Sequence, residues 1–309
     1  MKKLEAFSDV TEQGVATQQH TTDIQENHKA SIDATKGWLK TVSSDTYKLL
    51  SDDGYRLVAT MFHPSYTPLA APEDSHNWVL LLHGYTGWKE EMYPFAREYV
   101  LRGYHALVPD LRCQGESEGD FIGMGYTDSK DCLLWLKLIL DTDPDAHIVI
   151  HGQSMGAATA LILSGDPALP DAVKGIISDC SYTDAYTMFR DKIRDWFSLP
   201  AFPFLDSARL ILMLRGGYDL YDASPLSAVK NSHTPTLFIH GTEDRIIDPA
   251  MTRELYDACA SSKKKLLLVE GAGHAQSQDK DPDRYYRTIF SFIGKIAARS
   301  AFHRLRCRQ

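Results

Sequence analysis

One feature constrains the fold of this chain more than any other. Short, continuous apolar runs alternate with longer segments in which apolar residues recur at the spacing of an α-helix. Runs such as 78–83 and 147–151 are apolar along most of their length, which is typical of strands buried on both faces of a parallel sheet. The helix-period segments between them are expected to cover that sheet. The predicted strands are residues 47–50, 55–62, 78–83, 105–108, 147–151, 175–178, 235–240 and 265–269, and the predicted helices are residues 91–101, 129–140, 155–163, 250–260 and 283–298. The sequence therefore predicts an α/β fold with a mostly parallel, eight-stranded sheet flanked by helices.

The chain divides by composition into a core, an insertion and two polar ends. Residues 46–182 and 231–298 carry the alternating pattern and form the predicted core, whereas residues 1–45 are expected to form a polar arm with a short helix. Residues 299–309 form a basic tail, and residues 183–230 interrupt the pattern. This insertion is too long for an ordinary crossover between parallel strands and too apolar for a free loop, so we expect a helical cap. A set of ordinary covering helices is the alternative.

The charge balance and the cysteine pattern disfavour several functional classes. A formal net charge of −8 argues against a nucleic-acid partner, because the phosphates would be repelled. Five cysteines without a CxxC pair describe neither a disulfide framework nor a zinc site, which fits a reducing compartment. We expect a cytoplasmic protein, since the start of the chain has no apolar signal segment and no apolar run reaches the length of a membrane span. A missing N-terminal anchor stays open, and so does the oligomeric state.

The segment Gly152-Gln153-Ser154-Met155-Gly156 joins a predicted strand directly to a predicted helix. A turn this sharp needs glycine on both sides, and it raises Ser154 above the sheet edge at the start of the helix. This placement is typical of a nucleophilic serine. A glycine-rich turn with a helix-capping serine is the alternative.

A nucleophilic serine needs a histidine base, and the base needs a carboxylate that fixes its tautomer. Among the histidines after Ser154, His274 stands in a glycine-flanked loop behind the last predicted strand, so it is the predicted base. Asp244 is the predicted acid because it lies in the loop after the preceding strand, while Asp248 is placed to cap the next helix. Glu243 is the second candidate for the acid.

Attack by a serine creates a negative oxygen, which acyl-transfer enzymes stabilise with two backbone amides. Met155, the residue after the nucleophile, is expected to supply one of them. The other is expected from Tyr85 in the HGYTG loop at residues 83–87, which follows an earlier strand. Asp110 and Arg112 lie in a turn-forming stretch, and we interpret them as loop organisers rather than catalytic groups.

Five motifs occur in a fixed order: HGYTG at 83–87, DLRCQGES at 110–117, GQSMG at 152–156, HGTEDRIIDP at 240–249 and GAGH at 271–274. With them, residues 46–298 resemble an α/β-hydrolase, and the first two motifs are similar to those of bacterial lidded carboxylesterases and cinnamoyl-esterase-like hydrolases. The resemblance implies a triad of Ser154, Asp244 and His274, with the Tyr85 and Met155 amides as oxyanion hole. It also implies that the insertion is a lid over the acyl or alcohol pocket. Cys113 stands where the second motif often has glycine, a departure that leaves the triad untouched.

The sequence predicts a serine hydrolase that cleaves carboxylic esters with a short to medium or aromatic acyl group through an acyl-enzyme on Ser154. The aromatic content of the insertion favours this substrate class, and the predicted pocket-lining residues are Phe189, Trp196, Phe202 and Phe204. Amide, peptide and thioester substrates are alternatives, as is a non-catalytic binding protein on the same fold. The predicted partner is a small-molecule ester. Without a glycine-rich phosphate loop or an HExxH motif, the sequence predicts no nucleotide cofactor and no metal.

Overall fold

The computed structural model describes residues 15–64 and 75–306, and its centre is one eight-stranded sheet. The strands are β1 (Ser43–Leu50), β2 (Arg56–His63), β3 (Asn77–Leu82), β4 (His105–Pro109), β5 (His147–Gln153), β6 (Val173–Asp179), β7 (Thr236–Gly241) and β8 (Lys264–Val269). Their order across the sheet is β1-β2-β4-β3-β5-β6-β7-β8. The pairs β1–β2 and β2–β4 are antiparallel, and all other neighbours are parallel. The predicted fold class is confirmed.

Ten α-helices lie in the part of the chain that the structure describes. They are α1 (Val15–Trp38), α2 (Tyr93–Val100), α3 (Tyr126–Thr142), α4 (Met155–Ser164), α5 (Ala185–Phe197), α6 (Phe204–Ile211), α7 (Pro225–Val229), α8 (Pro249–Ala258), α9 (Ser277–Lys280) and α10 (Pro282–Arg306). Within that part, no helix combines the length and the apolar composition that crossing a membrane requires.

Two apolar layers hold the sheet between its helices. On one face, α3 and α4 bury side chains such as Trp135 and Leu161, and on the other face α10 buries Ile289. The strands supply both layers, since successive side chains of a strand point to opposite faces. In β3, for example, Leu80 belongs to the first layer and Leu81 to the second.

The N-terminal arm contains a longer helix than the sequence predicts. α1 has 24 residues, and it packs against α2 and α9. The Trp38 and Phe62 rings pack with 4.9 Å between their centroids, and His28 Nδ1 lies 2.9 Å from the Asp279 carboxylate. Apolar residues are sparse along α1, so the helical period is weak in the sequence. α10 likewise continues into the predicted basic tail.

The residues between β6 and β7 form a helical insertion. α5 and α6 are followed by a π-helical turn, Leu212–Gly216, and a 3₁₀ turn, Leu220–Asp222. The side chains of Leu205, Tyr218 and Leu220 are buried and attach the insertion to the core. α7, by contrast, packs on α4, so it belongs to the layers that cover the sheet.

Asp110 and Arg112 organise the loop after β4, as the sequence predicts. The fully buried Asp110 carboxylate accepts a hydrogen bond from the Lys89 ammonium group at 2.8 Å. It also accepts from the backbone amides of Lys89 and Glu116, at 2.7 and 2.9 Å. Arg112 forms an ion pair with Asp131 of α3 at 2.7 Å. The loop is thereby fixed to α3 and to the segment before α2.

Lys89→Met should lower the free energy of unfolding by about 3–5 kcal/mol, because it leaves the Asp110 charge buried without its partner. Lys137→Met is the matched control, since the Lys137–Asp141 pair is exposed and should contribute less than about 1 kcal/mol. Urea unfolding of both variants, followed by circular dichroism, measures the difference. Equal losses would show that the buried pair does not stabilise this loop.

Candidate active site

β5 passes into α4 through a sharp turn at Ser154, whose φ of 54° lies in the left-handed region. A Cβ atom on Gly152 would lie 2.1 Å from the Gly156 carbonyl oxygen, and one on Gly156 would lie 2.1 Å from the Leu82 carbonyl oxygen. Both separations are far below van der Waals contact, so the turn requires glycine at each position. The Ser154 amide donates to the Asp179 carbonyl oxygen at 2.8 Å, which attaches the turn to the neighbouring strand.

His274 lies in the loop between β8 and α9 and faces Ser154. Its Nε2 is 2.9 Å from Ser154 Oγ, and its Nδ1 is 2.7 Å from Asp244 Oδ2. The structure therefore brings the three predicted residues together in one hydrogen-bonded chain. Because the Asp244 carboxylate is an acceptor, His274 donates through Nδ1, and its Nε2 lone pair faces the serine hydroxyl.

The carboxylate of Asp244 is buried and accepts hydrogen bonds on both oxygens. Oδ1 accepts from the amides of Ile246 and Ile247 at 2.8 and 2.9 Å, and Oδ2 accepts from His240 and His274 at 2.9 and 2.7 Å. Burial opposes the charge, but the hydrogen bonds from the two histidines outweigh it and hold the pKa of Asp244 well below its usual range. The carboxylate is therefore ionised at neutral pH.

Glu243, the second candidate for the acid, is exposed to solvent. Its backbone amide donates to the Ala272 carbonyl oxygen at 2.9 Å. The main chain of Glu243 is therefore hydrogen-bonded to the loop that carries His274. Of the two neighbouring carboxylates, the one that contacts the His274 ring belongs to Asp244.

A second histidine on the same carboxylate is missed by the sequence reasoning. His240 of β7 is fully buried, and its Nε2 lies 2.9 Å from Asp244 Oδ2 and 3.1 Å from the Ile247 carbonyl oxygen. Both of these neighbours are acceptors, so Nε2 carries the hydrogen. Its Nδ1 lies 2.6 Å from Thr252 Oγ1. The His-Gly-x-x-Asp spacing at the strand end is the sequence signal for this contact.

The two segments predicted to supply oxyanion donors lie beside Ser154. Met155 is the first residue of α4, so its N–H has no acceptor within the helix. The 83–87 loop reaches the nucleophile at Gly84, where an added Cβ atom would lie 3.4 Å from Ser154 Cβ. Tyr85 is the next residue. Donation by the Tyr85 and Met155 amides stays a prediction.

The four aromatic residues predicted to line a pocket differ in their environment. Phe189 is half-buried and packs on the core. Trp196, Phe202 and Phe204 are 53, 74 and 56% exposed. Trp196 and Phe204 lie on short helices of which only one face meets the core, and Phe202 lies in the turn between these helices. A pocket role for these three exposed side chains stays a prediction.

Comparison with known proteins agrees with this geometry. A model of the alpha/beta hydrolase family matches residues 79–288. The chain belongs to the alpha/beta hydrolase family. It is 31% identical to the uncharacterized protein YqkD of Bacillus subtilis. The 227 aligned residues cover 73% of this chain and 74% of the relative. It is also 22% identical to a carboxylesterase of the same organism, over 71% of this chain and 92% of the relative.

A solved structure with the same fold is the esterase Pf2001 of Pyrococcus furiosus. It matches with a TM-score of 0.65 at 18% identity, covering 82% of this chain and 93% of the esterase. At that identity the likeness shows the fold alone. Family membership and the esterase relatives together support a hydrolase.

Ser154→Gly should be more stable than Ser154→Ala by about 1 kcal/mol, because glycine adopts a positive φ without the strain that a Cβ atom causes. Ser129, inside α3, is the matched control site. There the alanine variant should be the more stable by about 1 kcal/mol. Thermal unfolding of the four variants measures both differences. The same ranking at both sites would mean that the turn at Ser154 is not strained.

Proposed function

We propose that this chain is a serine hydrolase that cleaves carboxylic esters through an acyl-enzyme on Ser154. The observation that carries the proposal is the hydrogen-bonded chain from Ser154 through His274 to Asp244, with contacts of 2.9 and 2.7 Å. A serine hydroxyl is a weak nucleophile at neutral pH. This arrangement supplies a base for its proton and a negative charge that stabilises the base once it is protonated.

In the acylation step, Ser154 Oγ attacks the ester carbonyl carbon while His274 Nε2 takes the hydroxyl proton. The carbonyl oxygen becomes negative and accepts hydrogen bonds from the Tyr85 and Met155 amides. The bond between the carbonyl carbon and the alcohol oxygen then breaks, and His274 gives its proton to the departing alkoxide. The ionised Asp244 stabilises His274 while the ring carries the positive charge.

Deacylation repeats these steps with water. His274 Nε2 takes a proton from a water molecule as the water oxygen attacks the acyl carbon. When the second tetrahedral species collapses, the bond to Ser154 Oγ breaks, and His274 returns the proton to the serine. The carboxylic acid leaves, and the site is restored.

Similarity to a characterised relative favours esters as the substrate class, because the relatives include a carboxylesterase. Phe189 of the insertion packs on the core, and we propose that it contacts the acyl or aryl group of the ester. Amide, peptide and thioester cleavage would use the same residues, so rates on matched ester, amide and thioester substrates decide among them.

A fluorophosphonate probe tests the proposed nucleophile. It should label the wild-type protein once per chain and should fail to label Ser154→Ala, whereas the control variant Ser129→Ala should react normally. Ester hydrolysis by Ser154→Ala should fall by several orders of magnitude, to the roughly 10³–10⁴-fold residual catalysis that an oxyanion hole and binding supply. Near-normal turnover in that variant would refute the assignment. Folded wild-type protein that takes up no probe would favour a non-catalytic binding protein.

Asp244→Asn should lower kcat by about 10⁴-fold, because a neutral amide neither fixes the His274 tautomer nor stabilises the protonated ring. Glu243→Gln, one residue away and exposed, should leave kcat nearly unchanged. Steady-state hydrolysis of a p-nitrophenyl ester measures both values. The reverse ranking would move the acid to Glu243.

Phe189→Ala should raise KM for bulky or aromatic p-nitrophenyl esters by about 10- to 100-fold, because it removes apolar contact worth roughly 1.5–3 kcal/mol when fully buried. The acetate ester should change much less, since the proposed chemistry does not use this side chain. Phe202→Ala is the comparison variant: Phe202 is 74% exposed, so a predicted contact with the substrate would bury less area and its loss should raise KM less. Equal losses across the ester series, in protein that circular dichroism shows to be folded, would mean that Phe189 supports the fold and does not select substrates.

A further inference from the structure

Cys180, the first residue after β6, has a buried thiol that takes no part in the mechanism above. Its Sγ, a carboxylate oxygen of Asp244 and a ring nitrogen of His274 lie within 4.8 Å of one another. Tetrahedral zinc sites hold their ligand atoms about 3.3–3.6 Å apart, so the widest of these separations exceeds the required spacing by about 1.5 Å at most.

The main chain is sharply turned at three residues of this region, because Ser154, Cys180 and Ala275 all have positive φ, of 54°, 53° and 57°. Burial and the negative charges of Asp179 and Asp244 raise the pKa of the Cys180 thiol well above its usual range. A cation that binds to this sulfur therefore has to displace the thiol proton.

A second buried carboxylate adds negative charge at the same place. Asp179 Oδ2 accepts from the Tyr285 hydroxyl at 2.9 Å, whereas Asp179 Oδ1 has no hydrogen-bond partner among the residues that the structure describes. An unpartnered buried carboxylate oxygen next to a thiol and an imidazole is an environment that favours a cation.

We propose that Cys180, His274 and Asp244 bind a borderline-soft divalent cation such as Zn²⁺, and that this cation inhibits the enzyme. Thiolate, imidazole and carboxylate are the ligand types that Zn²⁺ takes in proteins. On binding, the Cys180 thiol releases its proton to solvent, and Sγ bonds to the metal. Nδ1 of His274 bonds to the metal in place of its hydrogen bond to Asp244, and the Nδ1 hydrogen moves to Nε2. Asp244 bonds to the metal through a carboxylate oxygen.

Inhibition follows from the change of tautomer. With the metal on Nδ1, the ring carries its hydrogen on Nε2, and that hydrogen points at Ser154 Oγ. The serine then faces a donor in place of a base, so acylation stops. The inhibitory effect rests on the proposed function, whereas the binding of the cation does not.

Cadmium is the probe for binding, because a cadmium–thiolate bond gives an ultraviolet charge-transfer band. The full chain titrated with Cd²⁺ should develop this band, and Cys180→Ser should lose it. Cys113→Ser is the matched control, because it removes a partly exposed thiol outside the cluster, and it should keep the band. Cys180→Ala should behave as Cys180→Ser does, and circular dichroism checks the fold of each variant.

Zinc is the probe for inhibition. It should slow fluorophosphonate labelling and ester hydrolysis of the wild-type protein, and EDTA should restore both. Cys180→Ser should raise the Zn²⁺ concentration for half-inhibition, relative to its own metal-free rate, by about tenfold or more. A band that persists in both Cys180 variants, a band lost in Cys113→Ser, or unchanged zinc sensitivity would overturn the site. If the chain shows the cadmium band but hydrolyses no ester, the metal site stands and the proposed function is refuted. If the chain hydrolyses esters but shows no band, the proposed function stands and the metal site is refuted.

Discussion

The turn from β5 into α4 holds Ser154 at a positive φ, and the other groups of the site are arranged around it. Gly152 and Gly156 let the backbones of β5, α4 and β3 approach more closely than any side chain would allow. Because β5, β6, β7 and β8 are parallel neighbours, the loops that follow them start from one edge of the sheet. This strand order explains how residues far apart in the sequence meet at Ser154.

Negative charge at this edge is concentrated on the Asp244 carboxylate, which four donors surround. The same loop is joined to the insertion, since the Lys192 ammonium group on α5 donates to the Arg245 carbonyl oxygen at 3.0 Å. This hydrogen bond is a direct contact between the insertion and the segment that carries Asp244.

The sheet, and the positions of Ser154, Asp244 and His274 at its edge, could be predicted because each depends on a local pattern. Buried parallel strands are continuous apolar runs, and the Gly-x-Ser-x-Gly turn has a steric requirement that two glycines reveal. Cys180 could not be assigned in this way, because its approach to Asp244 and His274 arises only when the ends of three strands meet. His240 has a local signal in its spacing to Asp244. The sparse apolar residues of α1 give no clear indication of its length, and the exposure of Phe202 depends on how the turn before α6 is placed on the core.

Rapid-quench mass spectrometry tests whether Ser154 is acylated and then released by water. The wild-type protein is mixed with a p-nitrophenyl ester and quenched in acid within the first turnover, and its peptides are then mapped. We expect one acyl group per chain, carried by the peptide that contains Ser154, together with a burst of p-nitrophenol of the same stoichiometry. Recovery of the acyl group on any other residue would contradict this expectation.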